Sequence, residues 1–156
     1  MMMSVEPGWH PIFVHFPLAL IVTATVCLTI TGSRRAQPHG SALALVGTWN
    51  LGIGAITVIL ALGSGLAAAI DLHVGAAAHQ AIAAHVKAAI LTTFLVLSAA
   101  LWRTFGVPAD SRPSGLFLLV LWAATSALVL TGYRGGQNVY RYGIGVSQSA
   151  GTDKNP

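Results

Sequence analysis

The segment from Ala42 to Ile70 reads ALALVGTWNLGIGAITVILALGSGLAAAI and contains no charged residue. A helix needs roughly 20 consecutive apolar residues to cross the hydrocarbon core of a bilayer. The segment exceeds that length, begins shortly after Arg34 and Arg35, and stops at Asp71. It therefore predicts a transmembrane helix over residues 42–70.

Further apolar stretches flank this segment on both sides. Hydrophobic residues make up 54% of the chain, charged residues only 8%, and the mean hydropathy is +0.72, which is unusual for a soluble domain. The connections are short, so consecutive helices must lie side by side and antiparallel. The sequence predicts an all-α membrane protein, a four-transmembrane-helix up-and-down bundle over residues 1–146 with a short interfacial C-terminal segment and a disordered tail at 147–156. The expected helices cover residues 12–30, 42–70, 77–102 and 116–133.

The basic residues beside the helix ends predict the orientation. Arg34, Arg35, Arg103 and Arg112 lie in the first and third connections, whereas the second connection contains no Lys or Arg. Arg134, Arg141 and Lys154 follow helix four on the other side, so the prediction rests on the short connections. By the positive-inside rule, the first and third connections are cytoplasmic and both termini are periplasmic, in a multi-pass protein of a bacterial inner membrane. The first ten residues also contain no Lys or Arg, so the first apolar stretch is expected to be retained and not cleaved as a signal peptide.

Most of the histidines belong to one end of the predicted bundle. Polar side chains at membrane depth are costly unless they are paired, bind a ligand or face a cavity. A cluster of imidazoles therefore indicates a site. His39 lies in the opposite loop, and the clustered residues are His10, His15, His73, His79 and His85.

His15 and His85 are the strongest candidates for binding. His15 lies inside an apolar run between Val14 and Phe16, and His85 lies deeper in the third helix than His79 does. His79 and His85 are six residues apart, roughly 240° around a helix, so they cannot point at one ligand in the same way. His10 fits an interfacial aromatic belt as well as it fits a functional role.

Two imidazoles from different helices inside an apolar bundle suit a b-type haem. A bundle core offers axial nitrogens from facing helices and apolar walls for the macrocycle. Closed zinc or copper sites usually add Cys, Asp or Glu ligands, and such residues are few near this end. We therefore expect haem b with His15 and His85 as iron ligands, although histidine pairs in membranes also serve proton relays.

A second pattern, rich in glycine and tyrosine, follows the fourth apolar stretch at residues 132–146. It reads GYRGGQNVYRYGIGV, and its glycines predict that helix four ends there. The segment is expected to fold back over the mouth of the bundle. Arg134 or Arg141 would then contact the haem propionates, and Tyr133, Tyr140 or Tyr142 would line the same mouth; the alternative is ordinary interfacial anchoring.

The motifs near both ends of the chain resemble those of a known protein family. The opening HPIFVHFPLAL at residues 10–20 and the closing GYRGGQNVY at 132–140, with GIGV at 143–146, resemble a bacterial family of predicted four-helix membrane proteins without an assigned function, domain of unknown function 2231. The resemblance spans Trp9 to Val146. It implies a histidine in helix three about one membrane width before Trp102-Arg103, which is His85, or His79 as the alternative. Members resemble parts of respiratory systems and some are joined to cytochrome-like modules, which favours haem.

The sequence thus predicts a membrane-embedded haem b electron-transfer protein or subunit that faces the periplasm. It has no nucleotide-binding loop, no nucleophile–base pair and no paired carboxylates, so it is not expected to be an enzyme by itself. The expected partners are the bilayer, a periplasmic redox protein such as a c-type cytochrome, and a second copy of the chain, but not nucleic acid. The alternatives are a structural anchor without cofactor and a small transporter or metal-handling protein that uses His15, His85 and Lys87 as a relay.

Overall fold

A computed structural model of the protein describes residues 10–33, 39–70, 72 and 74–145. In these residues it contains four helices, each long and apolar enough to cross a membrane. This confirms the all-helical membrane bundle. The helices are α1, His10–Ser33; α2, Gly40–Ile70; α3, Ala76–Gly106; and α4, Gly115–Tyr142.

The helices form a four-cornered ring in chain order. Within the described residues, α1 packs on α2 and α4, and α3 packs on the same two helices, while the diagonal pairs do not touch. Because consecutive helices are antiparallel, α1 and α3 begin at the end of the bundle where α2 and α4 finish. We call this the histidine end, marked by His10, Ile70, Ala76 and Tyr142.

Glycines of α2 allow the closest contact in the bundle, that between α1 and α2. A Cβ atom at Gly54 would lie 2.5 Å from Cδ1 of the buried Ile21, and one at Gly47 would lie 2.7 Å from Cγ of Leu28. Small residues let membrane helices approach in this way. These two contacts, seven residues apart on α2, place α1 directly against α2.

Hydroxyl groups join α4 to its two neighbours inside the apolar core. The Thr25 and Thr125 hydroxyl oxygens lie 2.7 Å apart between α1 and α4, and those of Thr92 and Thr131 lie 2.9 Å apart between α3 and α4. Hydrogen bonds between helices are a recurrent source of association in membranes. They place the Thr131 turn of α4 against α3, where the candidate site begins.

Helix α4 continues well past the position predicted for its end. It passes through Gly135 and Gly136 and stops at Gly143, whose φ of 65° is left-handed. Its capping bonds run from the N–H of Gly143 to the Val139 carbonyl, 2.9 Å, and from the N–H of Ile144 to the Asn138 carbonyl, 3.1 Å. The predictions that the helix ends near Tyr133 and that the next segment folds back over the bundle are therefore wrong.

The physical reason is that a glycine costs a helix only about 1 kcal/mol relative to alanine, which tertiary contacts override. At Gly135 the contact is the ring of His85, whose Cε1 lies 3.2 Å from the position a Cβ atom would occupy. The predicted disordered tail at 147–156 lies outside the described residues.

Candidate functional site at the histidine end

His10 is the first residue of α1 and is half-buried against α2. Its Nδ1 atom lies 3.1 Å from the hydroxyl oxygen of Ser64, and that hydroxyl donates its proton to the Ala61 carbonyl at 3.0 Å. Which of the two groups donates depends on the tautomer of His10. The ring also packs on Gly65, where a Cβ atom would lie 2.8 Å from Cε1. His10 is thus held against α2 by Ser64 and Gly65.

His85 of α3 is held in the same way by α4. Its Nδ1 lies 3.1 Å from the backbone carbonyl oxygen of Thr131, which can only accept a hydrogen bond. The ring therefore donates from Nδ1 and keeps its lone pair on Nε2. Gly135 lies beside the ring, and its lack of a side chain leaves room for the imidazole.

The structure places His10 and His85 at the same end of the bundle. They belong to α1 and α3, the diagonal pair of helices. Both are half-buried, and each is anchored through Nδ1 to a different neighbouring helix. Together they form a pair of similarly held imidazoles at the histidine end.

His15 faces outward, away from this pair. It follows His10 by five residues, which rotates it by roughly 140° around α1. Its side chain is exposed, and its Nδ1 hydrogen bonds back to the Pro11 carbonyl at 2.6 Å. The structure therefore does not bring His15 to the inward side of α1, where His10 lies.

The other predicted histidines do not join the pair. His79 is exposed near the start of α3, and His39 is exposed at the opposite end of the bundle. Lys87, the third member of the predicted relay, is also exposed. His73 lies outside the described residues. Within the described ranges, no three His, Cys, Asp or Glu residues are grouped as a metal site would require.

The two predicted arginines share a cavity of about 210 Å³ between α3 and α4, close to His85. Arg134 donates from Nη1 to the Ala84 carbonyl at 3.2 Å, and the Arg141 guanidinium lies 5.8 Å from the ring centre of Tyr142. Tyr142 is the predicted tyrosine that lines this cavity. Tyr140 is almost fully exposed, and Tyr133 lines a separate groove on the outer face of α4.

Arg103, at the opposite end, has a role that sequence reasoning missed. Its side chain is only 1% exposed and donates to the Thr48 hydroxyl, the Ala109 carbonyl, and both the carbonyl and hydroxyl of Ser111. It therefore ties the α3–α4 connection to α2. The sequence offered one weak signal, Thr48 as one of the few polar residues in the 42–70 stretch.

A comparison with protein families supports the resemblance that the two end motifs indicate. The family described as "Predicted membrane protein (DUF2231)" matches residues 7–148, which include all four helices. Comparisons with curated proteins and with solved structures find no match. Since the match covers nearly the whole sequence, the chain belongs to the DUF2231 family of membrane proteins.

Proposed function

We propose that this membrane protein binds haem b and acts as an electron-transfer protein or subunit, with His10 and His85 as the iron ligands. The observation that carries the proposal is that the two rings are held in the same way. Each is half-buried, and each is hydrogen-bonded through Nδ1 to an oxygen of a neighbouring helix, which leaves Nε2 as the nitrogen that would bind iron.

This donor chemistry fits a haem iron. A histidine that binds a metal almost always donates its other ring N–H to a carbonyl, a carboxylate or water, which fixes its orientation and makes the free nitrogen a better ligand. Neutral imidazoles also avoid the cost of a charge within the bundle. When bound, the haem would supply reversible one-electron transfer, and the chain's own part is to hold the two rings and exclude water.

The proposed ligand pair keeps His85 from the sequence prediction and replaces His15 by His10. His15 is exposed on the outer side of α1, whereas His10 is held against α2 by Ser64 and Gly65. His79, the alternative to His85, is also exposed. The geometry thus favours the pair that lies between the helices.

A visible spectrum of the detergent-purified full-length protein tests the proposal. We expect a Soret band that shifts on reduction, with one haem for each pair of axial histidines. Stoichiometric zinc or copper without a Soret band would instead indicate a metal-handling protein. A preparation with neither, even after haem supplementation during expression, would indicate a structural anchor and contradict the proposal.

We further propose that the histidine end faces the periplasm across an inner membrane, where the haem would meet a soluble redox partner. The support is the presence of Arg34, Arg35, Arg103 and Arg112 at the opposite end and the absence of basic residues in the 71–76 connection. A reporter fused after Pro156 should be active in the periplasm, and one inserted between Gln37 and Gly40 should be active in the cytoplasm. The reverse pattern would place the histidine end on the cytoplasmic side.

A further inference from the structure

The cavity between α3 and α4 is polar on its α4 side. Residues 134, 137, 138 and 141 have the spacing of one helix face, and all four line the cavity. Ala81 and Ala84 form the opposite wall on α3, and their small side chains leave the space open. The cavity therefore lies at the α3–α4 contact and is open on one side.

Among the residues that the structure describes, the cationic groups of this cavity have no acidic partner. Arg134 uses one N–H on the Ala84 carbonyl, and a guanidinium has five, so most of its donors remain available. Arg141 stacks near Tyr142. Neither arginine pairs with a carboxylate in the described parts of the chain. Asp110, the acidic residue within those parts, belongs to the α3–α4 connection at the opposite end of the bundle.

Asn138 adds a further polar group to the same cavity. Its side chain is only 8% exposed and lines the cavity beside Arg134 and Arg141. An amide can donate as well as accept hydrogen bonds. A ligand oxygen in the cavity would therefore bond to it together with the arginines.

The depth of the cavity in the membrane suggests what that ligand is. The 28 residues of α4 are roughly 42 Å long, more than the hydrocarbon thickness of about 30 Å. Its apolar part ends near Thr131, so Arg134 and Arg141 lie at the level of the lipid headgroups. Phosphate is the abundant anion at that level, and arginine binds it through a planar fork of donors.

We infer that this cavity is a binding site for a phosphate group, carried by an anionic phospholipid or by a free phosphate compound. Its volume of about 210 Å³ is below the roughly 300–1,000 Å³ of sites for drug-sized ligands, so it suits a headgroup and not a macrocycle. The site does not depend on the proposed haem. It would fix a lipid against the α3–α4 contact beside His85.

Native mass spectrometry of the full-length protein can test this site. The delipidated protein in neutral detergent is titrated with short-chain phosphatidylglycerol, with short-chain phosphatidylcholine, and with inorganic phosphate as a competitor. We expect saturable binding of one phosphatidylglycerol and a Kd raised roughly tenfold or more by Arg134→Gln and by Arg141→Gln, since each loses charge-assisted hydrogen bonds. Arg134→Lys should restore only part of the affinity.

Lys87→Gln is the matched control. It removes one positive charge from α3 near the same end, but Lys87 is exposed and does not line the cavity. This variant should bind phosphatidylglycerol like the wild type. Displacement of the lipid by millimolar inorganic phosphate would identify a free phosphate compound as the source, and no displacement would identify the lipid.

Three results would overturn the inference. The first is wild-type lipid affinity in both Arg→Gln variants, and the second is an equal loss of affinity in Lys87→Gln, which would indicate surface charge alone. The third is loss of the Soret band in the Arg→Gln variants with unchanged lipid binding, which would assign the arginines to haem propionates. Thermal unfolding of each variant, followed by circular dichroism, checks that the bundle is intact.

Discussion

Replacing His85 by alanine should remove haem from the purified protein, and replacing His10 should do the same. Neither Thr131 nor Gly135, which surround the His85 ring, can supply a nitrogen in its place. An axial ligand lost from a bis-histidine site leaves the iron with a single protein bond and access for water. The ratio of Soret absorbance to protein, calibrated by a pyridine haemochrome assay, measures the loss.

His15→Ala is the closest control for this experiment. It removes an imidazole from the same helix at the same end of the bundle, but from its exposed side. We expect the haem content and the spectrum of the wild type, as we do for His39→Ala at the opposite end. Haem loss in His15→Ala with retention in His10→Ala would restore the ligand pair predicted from the sequence. Full retention in both His10→Ala and His85→Ala would rule out axial ligation by these residues.

Arg103→Met should cause the largest loss of stability among single substitutions outside the histidine end. The substitution keeps an unbranched side chain of similar length but removes every donor. The Ser111 carbonyl then loses its bond to Arg103, and the Ala109 carbonyl keeps only its bond from the Thr48 hydroxyl. A hydrogen bond to a charged group contributes about 1.5–3 kcal/mol, so we expect a loss of roughly 2–5 kcal/mol in the free energy of unfolding.

Denaturation of the protein in mixed micelles, followed by circular dichroism, measures this change. Arg103→Lys keeps the charge but cannot reach all the acceptors, so its stability should be intermediate. Arg112→Met is the control. It removes an arginine from the same connection, but Arg112 is exposed and, among the described residues, bonds to the Gly32 carbonyl alone. Its unfolding free energy should change by less than about 1 kcal/mol.

The Arg103→Met substitution should also loosen the α3–α4 connection itself. Arg103 holds it at two carbonyls and one hydroxyl, so the connection should become sensitive to protease in Arg103→Met. Equal stability and equal protease resistance in Arg103→Met and the wild type would mean that these hydrogen bonds are replaced by water without loss.

The extent of helix α4 illustrates where local sequence signals are overridden. Gly132, Gly135 and Gly136 have low intrinsic helix propensity and predict a stop. Propensity is a weak preference, however, and Gly135 lies where the helix must approach the His85 ring. The stop moves to Gly143, which can adopt the left-handed conformation of a helix cap.

Two properties of the protein follow from the sequence by itself. The four membrane spans follow from apolar length, because burying that many apolar residues in lipid is strongly favourable and needs no knowledge of neighbours. The gathering of histidines at one end follows from short connections, which force consecutive helices to alternate in direction.

Only the tertiary structure decided which side chains face inward. A membrane helix is apolar on its lipid side as well as on its packed side, so hydrophobic periodicity does not tell the two sides apart. The sequence favoured His15 over His10 because His15 lies inside the apolar run, but the contacts of α1 with α2 hold His10 against Ser64 and leave His15 exposed. The sequence used Arg103 only as a sign of orientation, whereas the α3–α4 connection supplies the carbonyls that bond to its buried guanidinium.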